Sequence, residues 1–272
     1  MKLKELFSLT KPTLSFEVFP PKAQDSFEKV KGAVGEIADL KPHYMSVTYG
    51  AGGGTSDFTV KIAEDIEKKI TKRTKAVLLL HFGGIACDIE GIQKLALQHN
   101  FYIIEDSACS VASRYNGKAL GTFGDMSMWS FDAMKILVCG DGGMLWFKNE
   151  ELAERAEKIM YFGLESKSGF SNAVDKKWWA YELSCFGHRA IMNDITASIA
   201  LEQLKKLPTF ISRRKEINDI YNSQLSEFDW LDLPPVIGPE YESSYYFYWI
   251  QLKNGLRDDL AKYLREKGIY TT

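Results

Sequence analysis

Cysteine and histidine are both scarce, at four residues each in a chain of 272. Cys87, Cys109, Cys139 and Cys185 form no C-x-x-C pair and stand apart from closely spaced histidines, which argues against a zinc site and a disulfide framework. Sparse, unpaired thiols fit a reducing compartment, and a cytoplasmic protein is expected. Long apolar runs are missing too. The longest uninterrupted aliphatic stretch is Ala76–Leu80, far short of the ~20 residues that span a bilayer. The opening MKLKELFSLTKP has no apolar stretch of the kind a signal peptide needs. Charge of one sign is not in excess: 34 Lys and Arg face 36 Asp and Glu, for a net charge of -2. Ten of each sign precede residue 70, which leaves 24 basic and 26 acidic residues after it, so neither part hides a basic module. Nucleic acid and anionic membrane, which draw on a basic excess, have no electrostatic footprint here.

What is present reads as a soluble α/β protein. Apolar residues make up 45% of the chain, enough for a sizeable core, and the length permits one large or two modest domains. Leu14–Phe19 is a short apolar strand stopped by Pro20-Pro21. Phe27, Val30, Val34 and Ile37 follow at helical spacing, then the strand Tyr44–Tyr49, a glycine-rich loop, and a second helical stripe of Phe58, Ile62 and Ile66. The rhythm continues with a strand at Ala76–Phe82, a helix at Ile89–His99 and a strand at Phe101–Glu105. Strands alternating with helices imply parallel pairing. Met126–Phe131 and Gly143–Phe147 are two further strands too close for a helical crossover, so the second is expected to run antiparallel. Asn149 caps a helix. Beyond it, helices are expected at Ile195–Leu204 and Phe210–Phe228, an aromatic strand at Tyr245–Leu252, and a last helix at Leu256–Lys267. Leu164–Asp175 reads as a loop.

Two sets of motifs carry the chemistry. FEVFPPK (Phe16–Lys22) and SVTYGAGG (Ser46–Gly53), one helix apart, resemble the start of the flavin-dependent methylenetetrahydrofolate reductases. The resemblance implies the first two strands of a (β/α)₈ barrel, a site for FAD, Glu17 as proton donor to the folate and Thr48 against the flavin. Catalytic side chains of such barrels stand at the carboxyl ends of strands, and Glu17 comes just before the prolines that end one.

From Ile70 onward, HFGGIACD, IIEDSA, YNGKALGTFGD, SFDAMK and GDGGM resemble the DegT/DnrJ/StrS sugar aminotransferases, in the family's order and spacing. The resemblance implies an aspartate-aminotransferase-like fold and pyridoxal phosphate (PLP) as cofactor. A PLP enzyme needs a lysine amine that bonds the cofactor and later moves a proton, and Lys135 matches that position. It also needs a carboxylate against the pyridine nitrogen, and Asp106 matches. Ser130 is implied as a phosphate ligand. Cys109 stands where the family often has Gln or His, which implies a weaker contact with the cofactor's phenolic oxygen. Lysine at 135 points to amino transfer, because the related sugar dehydratases carry histidine there. The implied substrate is a nucleotide-linked keto-sugar, with glutamate as amino donor and a homodimer as the working assembly.

Taken alone, these residues have plainer readings. Lys135 is a lysine after a strand, Asp106 and Glu17 are strand-end carboxylates, and Ser130 gains meaning only from its spacing to Lys135. His81, His99 and His188 are too dispersed for a metal site and read as core or surface residues. The run Tyr245–Trp249 reads as core cover, and Trp178-Trp179 as a hydrophobic anchor or a substrate border. The turn GAGGGTS (Gly50–Ser56) offers amides and a helix N-terminus to an anion, or is a loop kept from a reductase parent.

The expected fold is α/β, with an N-terminal βαβα unit like part of a TIM barrel and then a partial three-layer aspartate-aminotransferase-like domain. The expected domains are 1–69, the reductase-like fragment; 70–165, a PLP-binding large-domain fragment; and 166–272, a helical and small-domain portion that stops early. The leading function is PLP-dependent transamination of a nucleotide-linked sugar, and without the phosphate-binding half that the family carries before this segment an inactive product is expected. The alternatives are a flavin-dependent folate reductase fragment and a recombined, non-catalytic chain prone to aggregate through uncovered strand edges.

Overall fold

A computed structural model describes residues 15–18, 44–48, 70–71, 73–165, 182–253 and 255–271. Its main element is one open sheet. Strands β1 (Ser15–Val18), β2 (Tyr44–Thr48), β3 (Ala76–Leu80) and β4 (Tyr102–Asp106) lie side by side in chain order and all run parallel. Two short strands, β5 (Arg114–Tyr115) and β6 (Lys118–Ala119), then form a hairpin outside the sheet. The sheet resumes with β7 (Met126–Ser130), parallel to β4, and closes with β8 (Gly143–Phe147), antiparallel to β7 as its short connection requires. β9 (Leu231–Asp232) pairs with β11 (Gln251–Leu252), and β10 (Tyr241–Glu242) joins the β5–β6 hairpin.

The first two strands stand where the sequence puts them, and they extend the same open sheet as the later ones rather than the wall of a barrel. The expected helices around Phe27–Ile37 and Phe58–Ile66, the turn Gly50–Ser56 and the pair Trp178-Trp179 lie outside the described residues. So does the expected loop Leu164–Asp175 beyond residue 165.

Helix α1 (Ile89–His99) is as the apolar spacing requires, with Asp88 accepting from the Gly91 N–H at its start and Asn100 in the left-handed conformation at its end. It buries Ile89 against Leu79, Phe101 and Ile103, a cluster that fixes β3 and β4 side by side. Helix α2 (Glu150–Met160) begins at Asn149, whose side chain accepts from the Glu151 and Leu152 N–H groups.

Two expectations are corrected. The helices expected at Ile195–Leu204 and Phe210–Phe228 are one helix of 32 residues, α3 (Asp194–Leu225), with Pro208 inside it. Proline in a helix interior costs roughly 3 kcal/mol. Here Leu207, Phe210 and Ile211 on either side are packed into a cluster with Phe131, Ile136 and Leu137, and burial of such side chains at ~1.5–3 kcal/mol each holds the chain helical through it. The strand expected over Tyr245–Leu252 reduces to Gln251–Leu252, because Tyr245 has φ 51 and leaves the extended region. A last helix, α4 (Arg257–Glu266), closes the described chain. Among the described residues, no helix is long and apolar enough to cross a membrane.

The start of α3 offers a direct check. The Asn193 side chain accepts from the Ile195 and Thr196 N–H groups, both at 3.0 Å. Asn193→Ala is expected to lower stability by about 1 kcal/mol, read from urea unfolding followed by circular dichroism. An unchanged midpoint contradicts the cap.

Candidate active site

Open α/β sheets bind ligands at the carboxyl ends of their parallel strands. Register sets that edge here: Thr48 pairs with Leu80, Leu80 with Asp106, and Asp106 with Met128. Ser130 ends β7 just beyond this row and pairs with Gly143 of the GDGGM turn.

Behind the edge lies a wholly buried ion pair. Glu105 and His81 both have no exposed surface. Glu105 Oε2 accepts from His81 Nε2 at 2.8 Å and from the Gly121 N–H at 2.8 Å, while Oε1 accepts from the Phe123 and Gly124 N–H groups at 2.7 and 2.5 Å. The His81 backbone N–H donates to the Asp106 carbonyl at 3.1 Å. Its Nδ1 meets Cys87, whose N–H lies at 3.4 Å and whose thiol lies at 3.6 Å. Gly121 must be glycine: with φ +91, a Cβ there would collide with the Trp129 ring and the Ser107 hydroxyl. Burial works against charge on both partners. For Glu105, the His81 imidazole and the Gly124 and Gly121 N–H groups outweigh burial and lower the pKa. For His81, the Cys87 thiol and the Glu105 carboxylate outweigh it and raise the pKa to about 10.

Asp106 follows directly. Its Oδ1 accepts from the Ala108 N–H at 3.0 Å, which turns the carboxylate back along the loop. Cys109, three residues on, is pushed to a higher pKa first by burial. The Lys135 ammonium works against that shift, the Asp106 carboxylate adds to it, and the Gly83 N–H opposes it. One thiol therefore senses both the Asp106 and the Lys135 charge.

Lys135 sits in the loop after β7. Buried Phe131, Ile136, Leu137 and Cys139 anchor that loop, and Ser130 Oγ accepts from the Asp132 N–H at 3.3 Å. The Lys135 N–H donates to the Asp132 carbonyl at 2.9 Å, and Nζ stands 5.2 Å from the centroid of the Tyr246 ring. A hydroxyl relay fixes the rest: Ser113 Oγ donates to the Gly84 carbonyl at 2.7 Å and accepts from the Ser244 N–H at 2.9 Å. Ser244 Oγ donates to the Cys109 carbonyl at 2.9 Å. Gly84, at φ +90, has no room for a Cβ beside Ser244.

Cys109 thus lies near both the Asp106 carboxylate and the Lys135 ammonium, and Ser130 opens the loop that carries Lys135. The Glu17 and Thr48 side chains lie outside the described residues, although their strands belong to the same sheet. Sequence reasoning passed over Glu105, Tyr246 and the Ser113–Ser244 relay. Alternation along Phe101, Ile103 and Glu105, all three buried, was the available signal for the first. Among the described residues, no three His, Cys, Asp or Glu side chains converge as a metal set requires.

Residues 55–272 match the family described as the DegT/DnrJ/EryC1/StrS aminotransferase family, and this match covers His81, Glu105, Asp106, Cys109, Ser130 and Lys135. The chain belongs to that family. Residues 2–101 also match the methylenetetrahydrofolate reductase family. A curated relative, the dTDP-4-dehydro-2,3,6-trideoxy-D-glucose 4-aminotransferase of Saccharopolyspora spinosa, is 48% identical over 210 residues, which are 77% of this chain and 54% of the relative. The chain spans about half the length of the curated relatives it matches. Among solved structures, the aminotransferase TlmJ from Streptoalloteichus hindustanus superposes with a TM-score of 0.74 at 38% identity, covering 99% of this chain and 68% of TlmJ. Spr1654 from Streptococcus pneumoniae, in its PLP form, gives 0.72 at 21% identity over 98% of this chain and 68% of its own, a likeness of fold. The reductase-like strands therefore lie within a sheet of aminotransferase fold.

The buried pair gives this site a pH signature. Glu105 has a lowered pKa, so its contribution is full above its ordinary 4.5 and is lost as pH falls through the folded value. His81 has a raised pKa, so its contribution is full below 6.5 and is lost as pH rises through about 10. Glu105→Gln is expected to cost about 3 kcal/mol between those limits, measured by urea unfolding across pH. The difference between parent and variant shrinks on both the acid and the alkaline side. A pH-independent difference contradicts the pairing.

Proposed function

We propose that the chain holds PLP at the carboxyl edge of its sheet and belongs to an enzyme that transfers an amino group to a nucleotide-linked keto-sugar. The observation that carries this reading is the placement of Asp106 at the carboxyl end of β4, in register with Met128 of the neighbouring β7, whose last residue Ser130 opens the anchored loop that holds Lys135. An amine, a carboxylate and a hydroxyl at one strand edge are the donor set that PLP chemistry uses, so the residues present fit the group. Asp106 would face the ring nitrogen, Ser130 the phosphate and Cys109 the phenolic oxygen. When bound, PLP supplies an electron sink for the carbon that gives up its proton.

The chain's own residues supply the rest. Lys135 Nζ accepts and returns a proton, which requires an amine that is half-buried and held, and its loop is anchored by Phe131, Ile136 and Leu137. The Ala108 N–H aims Asp106, and the buried Glu105–His81 pair keeps the carbonyl of that same residue in place. Cys109 is a weak hydrogen-bond donor, so ring orientation rests on Asp106 more than on the thiol. The sugar class is supported by the Saccharopolyspora relative, which acts on a dTDP-linked keto-sugar. Glutamate is the amino donor in this reading. A second copy of the chain is the proposed partner, supported by Ile195, Leu201 and Leu204 of α3, which are 76%, 61% and 51% exposed.

A second reading rests on the match of residues 2–101 to the folate reductases, with Glu17 and Thr48 serving FAD. A third has a recombined chain that joins two ancestries and catalyses nothing.

One experiment separates the three. Purified protein is mixed with PLP, reduced with borohydride and mapped by mass spectrometry, beside Lys135→Ala. The first reading expects the reduced cofactor on Lys135 and loss of at least nine-tenths of the label in the variant, about a tenfold effect. A flavin spectrum from the protein as purified favours the second reading, and neither signal favours the third. Light scattering during gel filtration is expected to give twice the chain mass, and a monomer contradicts the second-copy proposal.

A further inference from the structure

We infer that Tyr246, anchored by Arg214, positions the Lys135 amine. The inference rests on the reading of Lys135 as the amine that meets the cofactor.

Tyr246 is held at its backbone by Arg214 and at its ring by Met134 and Phe247. Arg214, on α3, donates from one Nη1 to the carbonyls of Tyr245 and Tyr246, at 3.2 and 2.7 Å. Tyr246 Oη donates to the carbonyl of Met134, the residue before Lys135, at 3.1 Å. The Phe247 ring meets Tyr246 at 5.1 Å between centroids and Phe82 at 4.9 Å, both edge to face. Tyr245 itself is in the left-handed region at φ 51. A non-glycine residue stays there only where its surroundings over-determine it, and the Arg214 clamp on its carbonyl does so. Sequence reasoning gave this segment to a strand. The turn instead sends the Tyr246 ring under the lysine.

Lys135 Nζ stands 5.2 Å from the ring centroid, inside the ~6 Å within which a ring quadrupole attracts an ammonium. A lysine stem has large rotamer freedom. An aromatic face that is fixed on one side removes much of it and leaves the amine within electrostatic reach of Cys109, the thiol that also feels Asp106. Arg214 shares α3 with Leu207, Phe210 and Ile211, which pack on the residues flanking the lysine loop, so ring and loop are held by one helix.

The test uses the full chain without cofactor. Trace acetylation with acetic anhydride is mapped by mass spectrometry, with Lys205 and Lys215 as internal references. Tyr246→Leu is expected to raise the relative labelling of Lys135 about threefold, the size of an exposed cation–π contact. Tyr246→Phe, which keeps the ring face and loses only the bond to Met134, is expected to raise labelling less than the leucine variant. Arg214→Gln, which releases the backbone turn that carries the ring, is expected to follow the leucine variant. Parent-like labelling in Tyr246→Leu overturns the inference, and so does an equal rise in Tyr246→Phe. If circular dichroism shows that Tyr246→Leu is unfolded, Arg214→Gln decides, and unchanged labelling there overturns it. Trapping of PLP on the parent chain is scored separately. Its failure removes the functional reading and leaves the anhydride result to stand or fall alone.

Discussion

Glu105 gathers four donors inside the protein, and the shape of the ligand-facing edge follows from where those donors originate. One is the His81 ring just past β3, and three are backbone N–H groups of the turn that leads to β7. A buried carboxylate that lost them would be left with an unpaired charge, a cost of several kcal/mol. The exits of β3 and β4 and the entry to β7 are thus bound to one side chain. Asp106 is next to it in sequence and receives the His81 N–H at its carbonyl. The residue proposed to meet the cofactor nitrogen is therefore fixed by a pair that itself never reaches the site.

The other side of the site is fixed by a different means. Lys135 lies in a loop with little secondary structure of its own, and burial of Phe131, Ile136 and Leu137 against α3 takes its place. Ser113 and Ser244 join the two sides, tying the Gly84 turn and the Cys109 loop to the segment that carries Tyr246. Polar contacts thus set the carboxylate, and apolar contacts set the amine. The first two strands make a separate point. SFEV and YMSVT fall within the reductase-family match alone, and they join in parallel register a sheet whose later strands fall within the aminotransferase-family match. A parallel sheet asks for extended, apolar-rich segments of suitable length, and both satisfy that requirement whatever their origin.

Much of this was legible from residues alone. The helix expected at Ile89–His99 is α1 with those bounds, and the short link between Ser130 and Gly143 dictated the antiparallel β8. The motif spacing picked out Asp106, Cys109, Ser130 and Lys135, and all four lie on β4, β7 or the loops that follow them. Three features were not legible because tertiary contacts decide them. Pro208 reads as a helix break, and only the buried neighbours on either side carry α3 through it. The aromatic alternation of Tyr245–Trp249 mimics a strand, and the Arg214 clamp imposes a turn. Glu105 and His81 are 24 residues apart, and each looks ordinary until parallel pairing sets them together.

The central claim is that one sheet edge presents Asp106 and Lys135 to a single pyridoxal ring. A crystal structure of the chain grown with PLP tests it most directly. The account predicts electron density continuous with the residue 135 side chain and a ring nitrogen within hydrogen-bond distance of the residue 106 carboxylate. Cofactor density on another lysine, or a ring whose nitrogen faces away from residue 106, contradicts it.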